Sequence, residues 1–373
     1  MSKDNFTVTP WDVSGDVNYN KLIKNFGLSK IDDKLLEKIK KQTGELHLFL
    51  KRGLFIAHRD LDVVLNSYAK GDSFFLYTGR GPSGNTHIGH LIPWILAKWL
   101  QDKYDLELYF QMTDDEKFLF KENLTLEEAT GFAYENALDV IALGFDPKKT
   151  HIFTNTQYAK TLYPQALRVA KKLTFSTTKA VFGFTNETNT GQIFYTSMQT
   201  VPAFLPSVKA GRNIYCLIPH GIDQDPHFRV ARDILPKLGY YKPASIQNIF
   251  FPGLAKGGKM SASDVNSAIF TTDSKKEVEK KINSAFTGGR ETIEKQQKEG
   301  GNPDICNIYK YNHFLFEEDD ERIEEMRHLC KKGQIRCKDC KKQLVQKINN
   351  FLQEHQKKRQ LAKAKLSEFI LTD

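Results

Sequence analysis

Residues 73 to 143 constrain the fold more than any other stretch of this chain. Ser73-Phe74-Phe75-Leu76-Tyr77-Thr78 is an apolar run bounded by Gly71 and Gly79, and a Gly/Pro/Ser loop, Gly79 to Asn85, follows it. Apolar residues then recur at helical spacing from Ile88 to Asp102. Leu106 to Met112 reads as a second strand and Thr125 to Leu143 as a second helix. Short apolar runs set off by glycine suit buried strands, and the change to a period near 3.6 marks helices. Strand, helix and strand in this order require a parallel pair joined by a right-handed crossover. The expected class is therefore α/β, with a Rossmann-like doubly wound parallel sheet.

Further strands are expected at His151 to Thr154, Ile214 to Ile218 and Asn248 to Phe251, and helices at Asp32 to Gln42, Leu162 to Leu173 and Pro226 to Leu238. Asn5 to Val8 and Trp11 to Val17 suggest a small hairpin. Beyond Ser274 strands disappear, and helices are expected at 275–285, 322–331, 338–357 and 360–370. This divides the chain into an N-terminal extension of hairpin and helices (1–70), an α/β domain (71–266), a helical domain (267–360) and a C-terminal helix (361–373) that packs back on the α/β domain.

The net charge is +9, and from Lys331 to Lys365 twelve Lys or Arg face only Asp339 and Glu354. Such a run reads first as a solvated helix face, and it also suits a polyanionic partner. Five cysteines in 373 residues is an odd number, with no apolar leader before them, so a reducing, cytoplasmic setting is expected. The longest apolar stretch, Leu91 to Leu100, is interrupted by Lys98 and is too short to cross a bilayer.

Two segments carry the chemistry. The first is Thr78-Gly79-Arg80-Gly81-Pro82-Ser83-Gly84-Asn85-Thr86-His87-Ile88-Gly89-His90. It lies where a strand hands over to a helix, the usual ligand site of an open α/β sheet, and the helix start favours an anion. It lacks the Lys-Ser/Thr of a Walker loop. A plain βα turn does not account for two histidines three apart on one face, and Gly89 leaves room for a flat ring. The second is Lys256-Gly257-Gly258-Lys259-Met260-Ser261-Ala262-Ser263, a cationic loop with two hydroxyls, suited to charge that develops in a transition state.

The sequences HIGH and KMSAS, in this order and about 170 residues apart, resemble the nucleotide motifs of class I aminoacyl-tRNA synthetases. Leu76 to Ser83, Gln111-Met112-Thr113-Asp114-Asp115-Glu116-Lys117 and Ile222-Asp223-Gln224-Asp225-Pro226 resemble the eukaryotic cytosolic tryptophanyl-tRNA synthetases in particular. The resemblance implies activation of L-tryptophan by ATP with Mg2+, transfer to tRNA(Trp), a homodimer, and no DNA or membrane partner. It implies a catalytic role for His87, His90 and Lys259. It implies ATP contacts for Thr78, Arg80, Gly89, Met260, Ser261 and Ser263, and tryptophan contacts for Tyr77, Gly79, Gln111, Glu116, Gln199 and Gln224. The basic helical domain then corresponds to an anticodon-binding domain. Ala262 stands where the common KMSKS form has a second lysine, and Lys117 is the expected replacement cation.

Two other readings share parts of this pattern. A tyrosyl-tRNA synthetase has the same fold and motifs, and a non-catalytic RNA-binding paralogue would keep the basic domain. Tyr77 with Gln111 suits an indole better than a phenol, and retention of His87, His90, Lys259 and Gln199 argues for catalysis. Cys337-Lys338-Asp339-Cys340, with Cys330 and His328 nearby, invites a zinc reading. A lone CxxC supplies two of four ligands, and the resemblance makes this stretch a helix start that Asp339 caps or whose dipole it favours, so no metal site is expected.

Overall fold

The computed structural model describes residues 6–8, 13–15, 18–261 and 264–373. Its centre is a seven-stranded sheet. The strands are β3 (Ser29–Lys30), β4 (Phe55–Arg59), β5 (Phe74–Arg80), β6 (Leu108–Met112), β7 (Thr150–Thr154), β8 (Tyr215–Gly221) and β9 (Ala244–Asn248), in the order β3-β4-β9-β8-β5-β6-β7. β9, β8, β5, β6 and β7 run parallel, and β3 and β4 join antiparallel at one edge. The short strands β1 (Phe6–Val8) and β2 (Val13–Gly15) pair separately, while the rest of the expected hairpin lies outside the described residues.

From β5 the chain moves outward to β6 and β7, then crosses back to place β8 on the other flank. The strand order therefore reverses at β5, and a ligand crevice opens beyond its carboxyl end. β6 is buried throughout, as befits a strand covered on both faces. Phe74 and Leu76 enter one core, with Ile88, Leu91 and Phe110; Phe75 and Tyr77 enter a second core on the opposite face, with Tyr109 and Phe153. The alternation follows from the two-residue period of a strand.

Helix α1 (Ile88–Tyr104) returns from the β5 crevice, α2 (Asp114–Phe120) starts directly after β6, and α3 (Leu126–Ala142) begins at a capping box of Thr125 and Glu128. Several expectations need correction. The strand expected at 248–251 lies four residues earlier. Its polar members Ser245 and Gln247 are buried and bonded to each other at 2.7 Å, so it does not read as an apolar run. β3, β4 and the helices at 175–182 and 190–198 were not anticipated. The helix expected over 226–238 is α-helical over Asp225–Ile234 and then tightens to a 3-10 turn. The two helices expected over 338–370 are one long helix, Cys337–Ala362, because Gln360-Leu361-Ala362 are good helix formers. A short turn of helix, Leu366–Phe369, follows it, and the Leu371 N–H then bonds the Ile152 carbonyl at 2.7 Å on the edge of the sheet.

The long helix lies along α3 through a buried charge cluster. His355 Nε2 lies 2.9 Å from Asp139 Oδ1, and Arg359 Nε lies 2.9 Å from the same oxygen. Asp139 and His355 are both buried. Removing one member of a buried ionic set leaves its partners desolvated and unmatched. Asp139→Ala should therefore cost about 3 kcal/mol of stability, read as a fall in the urea midpoint. An unchanged midpoint would remove this cluster from the account of how the long helix is held.

Candidate active site

The crevice beyond β5 is a cavity of about 330 Å³. It gathers Tyr77, Thr78, Gly79, Arg80, His87, Gly89, His90, Gln111, Glu116, Lys117, Gln199, Gln224, Lys259 and Met260, fourteen of the sixteen residues expected to form the site. Ser261 is not in its lining; the Ser261 backbone is tied to the Ser267 hydroxyl, with the Ser261 N–H donating at 3.1 Å. Ser263, like Ala262, lies outside the described residues.

Strand pleating divides the crevice in two. Tyr77 and Gly79 face one side of β5, and Thr78 and Arg80 face the other. Gln111 is the register partner of Gly79, so it shares the Tyr77 side. A Cβ on Gly79 would stand 2.6 Å from the Gln111 carbonyl oxygen, so only glycine keeps that strand pair this close.

On the Thr78 side, α1 begins with Ile88. The His87 and His90 rings stack with centroids 3.4 Å apart. The His87 N–H donates to His90 Nδ1 at 3.1 Å, so neutral His90 carries its proton on Nε2 and donates from there. Burial, reinforced by the Arg80 charge, holds both imidazoles well below their usual pKa, so both are neutral near pH 7. His87 Nδ1 and the Arg80 Nε and Nη2 atoms are buried without a hydrogen-bond partner among the described residues. Burial lowers the Arg80 pKa to about 10, which still leaves it a cation. Unmatched buried polar atoms of this kind are costly unless a ligand meets them. A Cβ on Gly89 would crowd the His87 ring at 3.1 Å and Met260 Sδ at 3.3 Å. Thr78 donates its hydroxyl proton to the Pro219 carbonyl, and Lys259 Nζ lies 5.7 Å from the Phe250 ring centre.

On the Tyr77 side, the Tyr77 hydroxyl donates to Gln111 Oε1 at 2.5 Å and accepts from Gln199 Nε2 at 2.7 Å. Glu116 accepts from the Thr113 hydroxyl at 2.6 Å and pairs with Lys117 at 2.7 Å. Burial alone would raise its pKa, but the Lys117 charge and these hydrogen bonds bring it below the usual value, so it is a carboxylate. Lys117 thus faces Glu116 directly. A Cβ on Gly81 would collide with the Lys117 chain, so this glycine opens the path by which that lysine crosses the crevice.

Several neighbours of this site were not foreseen. Tyr195 hydrogen-bonds Gln199 and reaches Glu116, and Asn155 accepts from Gln111 Nε2 at 2.8 Å. His220, Asp223, Phe228 and Phe250 also line the cavity. No spacing rule reveals them, because they arrive from four further segments of chain.

Buried neutral histidines also predict a pH response. Burial pushes His220 and His227 down to about 4. The unfolded chain, with imidazoles near 6.5, binds more protons than the fold in that window, so stability is complete above it and falls as pH drops from about 6.5 towards 4. Denaturant titrations should show this slope, and His227→Asn should make it shallower. An unaltered slope in the variant would exclude His227 as a source.

The crevice presents cations and neutral donors on one side and an acceptor-lined apolar slot with a carboxylate on the other. This is a division suited to a nucleotide beside an amino acid. The family of class I tRNA synthetases for W and Y matches residues 69–353. The tryptophan–tRNA ligase of Pyrobaculum calidifontis is 52% identical over 369 residues, covering 99% of this chain and 98% of that protein. That of Pyrococcus abyssi is 50% identical, with 99% and 95% covered. The crystal structure of Plasmodium falciparum tryptophanyl-tRNA synthetase superposes with a TM-score of 0.87 at 42% identity, covering 92% of this chain and 94% of that one. Fold, crevice and full-length kinship agree, and the chain belongs to the class I tryptophanyl-tRNA synthetases.

Proposed function

We propose that this chain is a tryptophan–tRNA ligase that couples L-tryptophan to ATP, releases pyrophosphate, and passes the tryptophanyl group to the 3'-terminal adenosine of tRNA(Trp). The observation that carries this reading is the pairing, in one cavity, of the Tyr77–Gln111 slot with the unmatched Arg80 donors and the unmatched His87 Nδ1. The indole N–H meets an acceptor at Gln111 Oε1. Glu116, with Gln199 and Gln224 beside it, receives the α-ammonium. The tryptophan carboxylate attacks the α-phosphorus of ATP, and its oxygen forms the new bond as the bond to pyrophosphate breaks. No proton transfer is needed at that step. Catalysis is positioning and charge stabilisation, in which Arg80 and Lys259 supply positive charge and His87 and His90 donate as neutral imidazoles. Thr78 and Met260 border the nucleotide side, and Gly89 keeps the helix start open to the adenine ring. Ser261 and Ser263 contribute their hydroxyls to the phosphates in this reading.

Magnesium would accompany ATP as part of the substrate and would offset phosphate charge that Arg80 and Lys259 also meet. Glu116 has one preferred cation at a time. An arriving ammonium competes with Lys117, and a released Lys117 is free to turn towards the phosphates, where the second lysine of KMSKS is lacking.

The basic stretch 331–365 supplies phosphate contacts to tRNA with salt-dependent affinity. Division into extension (1–70), catalytic (71–266), anticodon-binding (267–360) and C-terminal (361–373) parts, cytoplasmic action and a homodimer belong to the same reading. Exposed Tyr163, Leu167 and Phe175 support a subunit contact, which sedimentation reads directly. The expected eukaryotic cytosolic branch is narrower than the kinship, which includes archaeal ligases.

ATP–pyrophosphate exchange with each amino acid tests the reading: tryptophan should support it and tyrosine should not. Gln111→Ala should raise the tryptophan KM roughly tenfold, the scale of one buried hydrogen bond left unmade. Equal use of tyrosine would replace the reading by the tyrosyl one. Lys117→Ala should slow exchange at saturating substrates, and an unchanged rate would return the catalytic charge to Arg80 and Lys259 alone.

A further inference from the structure

Tyr195 stands between the two ends of the amino-acid slot, with Glu116 on one side and Gln199 on the other. It lies on the helix Thr190–Met198, four residues before Gln199, so its ring and the Gln199 amide share one face. That helix is fixed against the end of α2. Gln192 Nε2 donates to the Leu119 carbonyl at 3.0 Å, and Gly191 admits the Leu119 side chain, which a Cβ there would meet at 2.3 Å. The Tyr195 ring packs beside Phe120 and His227, with centroids 6.3 and 6.1 Å away, so its buried hydroxyl is held at one point. Burial, reinforced by the Glu116 charge, pushes its pKa well above the usual value, so this hydroxyl keeps one proton to give.

That proton has two acceptors within reach. Glu116 Oε2 is 3.5 Å away and already receives the Thr113 hydroxyl at 2.6 Å. Gln199 Oε1 is nearer, and the Tyr195 hydroxyl donates to it. The amide oxygen therefore faces Tyr195, and Nε2 is turned to the Tyr77 hydroxyl at 2.7 Å. Tyr77 does not make this choice. A hydroxyl both donates and accepts, so Tyr77 would serve a reversed amide by moving its proton from Gln111 Oε1, 2.5 Å away, to Gln199. Tyr195 would not. Facing Nε2, its proton would be left with the distant Glu116 oxygen that Thr113 already serves. An amide has two ends of nearly equal shape, so packing does not orient it and hydrogen bonds must. For Gln199 the deciding bond is the one from Tyr195.

We propose that Tyr195 is a positioning residue for the α-ammonium of the amino acid: its hydroxyl holds Gln199 Oε1 on the Glu116 side of the slot, so that carboxylate and amide oxygen together receive the cation. The proposal rests on the tryptophan–tRNA ligase reading. An ammonium has three donors and no acceptor. The Gln199 oxygen keeps a second lone pair beside the bond from Tyr195, whereas a reversed amide would turn N–H groups on the cation and repel it. The ammonium takes no part in the attack of the carboxylate on ATP, so its contacts are the same before and during reaction. Their loss is read in KM and leaves kcat. The indole end is indifferent to the Gln199 orientation, because Gln111 Nε2 is committed to Asn155 at 2.8 Å and Gln111 Oε1 remains an acceptor either way.

Tyr195→Phe tests this, because the phenyl ring keeps the packing on Phe120 and His227 and only the hydroxyl is lost. In ATP–pyrophosphate exchange the variant should show a tryptophan KM raised about tenfold, the scale of one buried hydrogen bond, with kcat unchanged. Two tryptophan analogues, used as inhibitors, separate the ends of the slot. Tryptamine has the ammonium and should bind the variant about tenfold more weakly. Indole-3-propionate lacks the ammonium and should bind both proteins equally, which also shows that the variant's pocket is folded. A wild-type tryptophan KM in the variant overturns the proposal. Equal weakening of both analogues does so too, since it would make the hydroxyl a general support of the pocket. A fall in kcat at unchanged KM would place Tyr195 in the chemical step instead. Exchange by the wild type with tryptophan is the separate check on the ligase reading: if it is absent, that reading falls first and this assignment with it.

Discussion

Everything at the active site depends on two backbone hydrogen bonds between segments far apart in sequence. The Ile88 N–H donates to the Ile269 carbonyl at 3.0 Å, and the Thr271 N–H donates to the Thr86 carbonyl at 2.9 Å. They pin the first turn of α1 against the chain leaving the KMSAS loop, and the His87 ring packs on Phe270. A helix start exposes N–H groups that must find partners. Here one of them is satisfied by the second motif's own segment, so the two nucleotide motifs are set at a fixed separation before any ligand binds.

The helical part of the chain bears on the same seam. Gln356 of the long helix donates to the carbonyls of Thr271, the residue whose N–H bonds Thr86, and of Asp273 two residues on. One turn away, His355 and Arg359 hold Asp139 of α3, and Asn136 of α3 donates to the Gly84 carbonyl in the glycine loop. The long helix thus touches both nucleotide segments through one intermediate layer. Buried ionic groups of this type add little net stability over an apolar core, but they fix one arrangement because mismatched ones are so costly. That is a property a multi-part site needs more than it needs stability.

The legible parts of this chain were those in which local sequence and tertiary role agree. β5, β6, α1 and α3 are long, periodic and well capped, and the histidines of α1 announce themselves by position. Buried polar and charged side chains concealed the rest. β9 carries Ser245 and Gln247 in the core, where Gln247 Nε2 donates to the Ser245 hydroxyl, so its apolar signal is shifted onto Ile249-Phe250-Phe251. β4 has a buried His58 and an Arg59 whose guanidinium grips Asp225 at 2.8 Å, a pairing with no trace in sequence. Asp339 was expected to cap the long helix or favour its dipole; Arg336 is the capping position, while Asp339 sits in the first turn, where its charge suits the dipole, and pairs with the Arg336 side chain at 3.0 Å. The cysteines show the same limit: a CxxC is visible in sequence, while the nearness of Cys306 to it is a fact of three dimensions.

The preference for an indole over a phenol has its origin outside the pocket. An amide side chain can present either end, so Gln111 could in principle offer a donor or an acceptor. What removes the choice is the backbone N–H of Glu116, which cannot be turned round and donates to Asp115 Oδ1 at 2.8 Å. That oxygen is then an acceptor, and remains one even when Asp115, raised to about 7 by burial and by Asp114, is protonated on its other oxygen. Asn155 must therefore present Nδ2 to it, at 2.8 Å, which leaves Asn155 Oδ1 to receive Gln111 Nε2. Gln111 Oε1 is left facing Tyr77 and the cavity. Each link forces the next, so one fixed peptide group at the start of α2 decides that the slot offers an acceptor. An indole carries a donor and no acceptor at its ring nitrogen, and it is the aromatic side chain that this polarity accommodates without leaving a lone pair buried and unmatched.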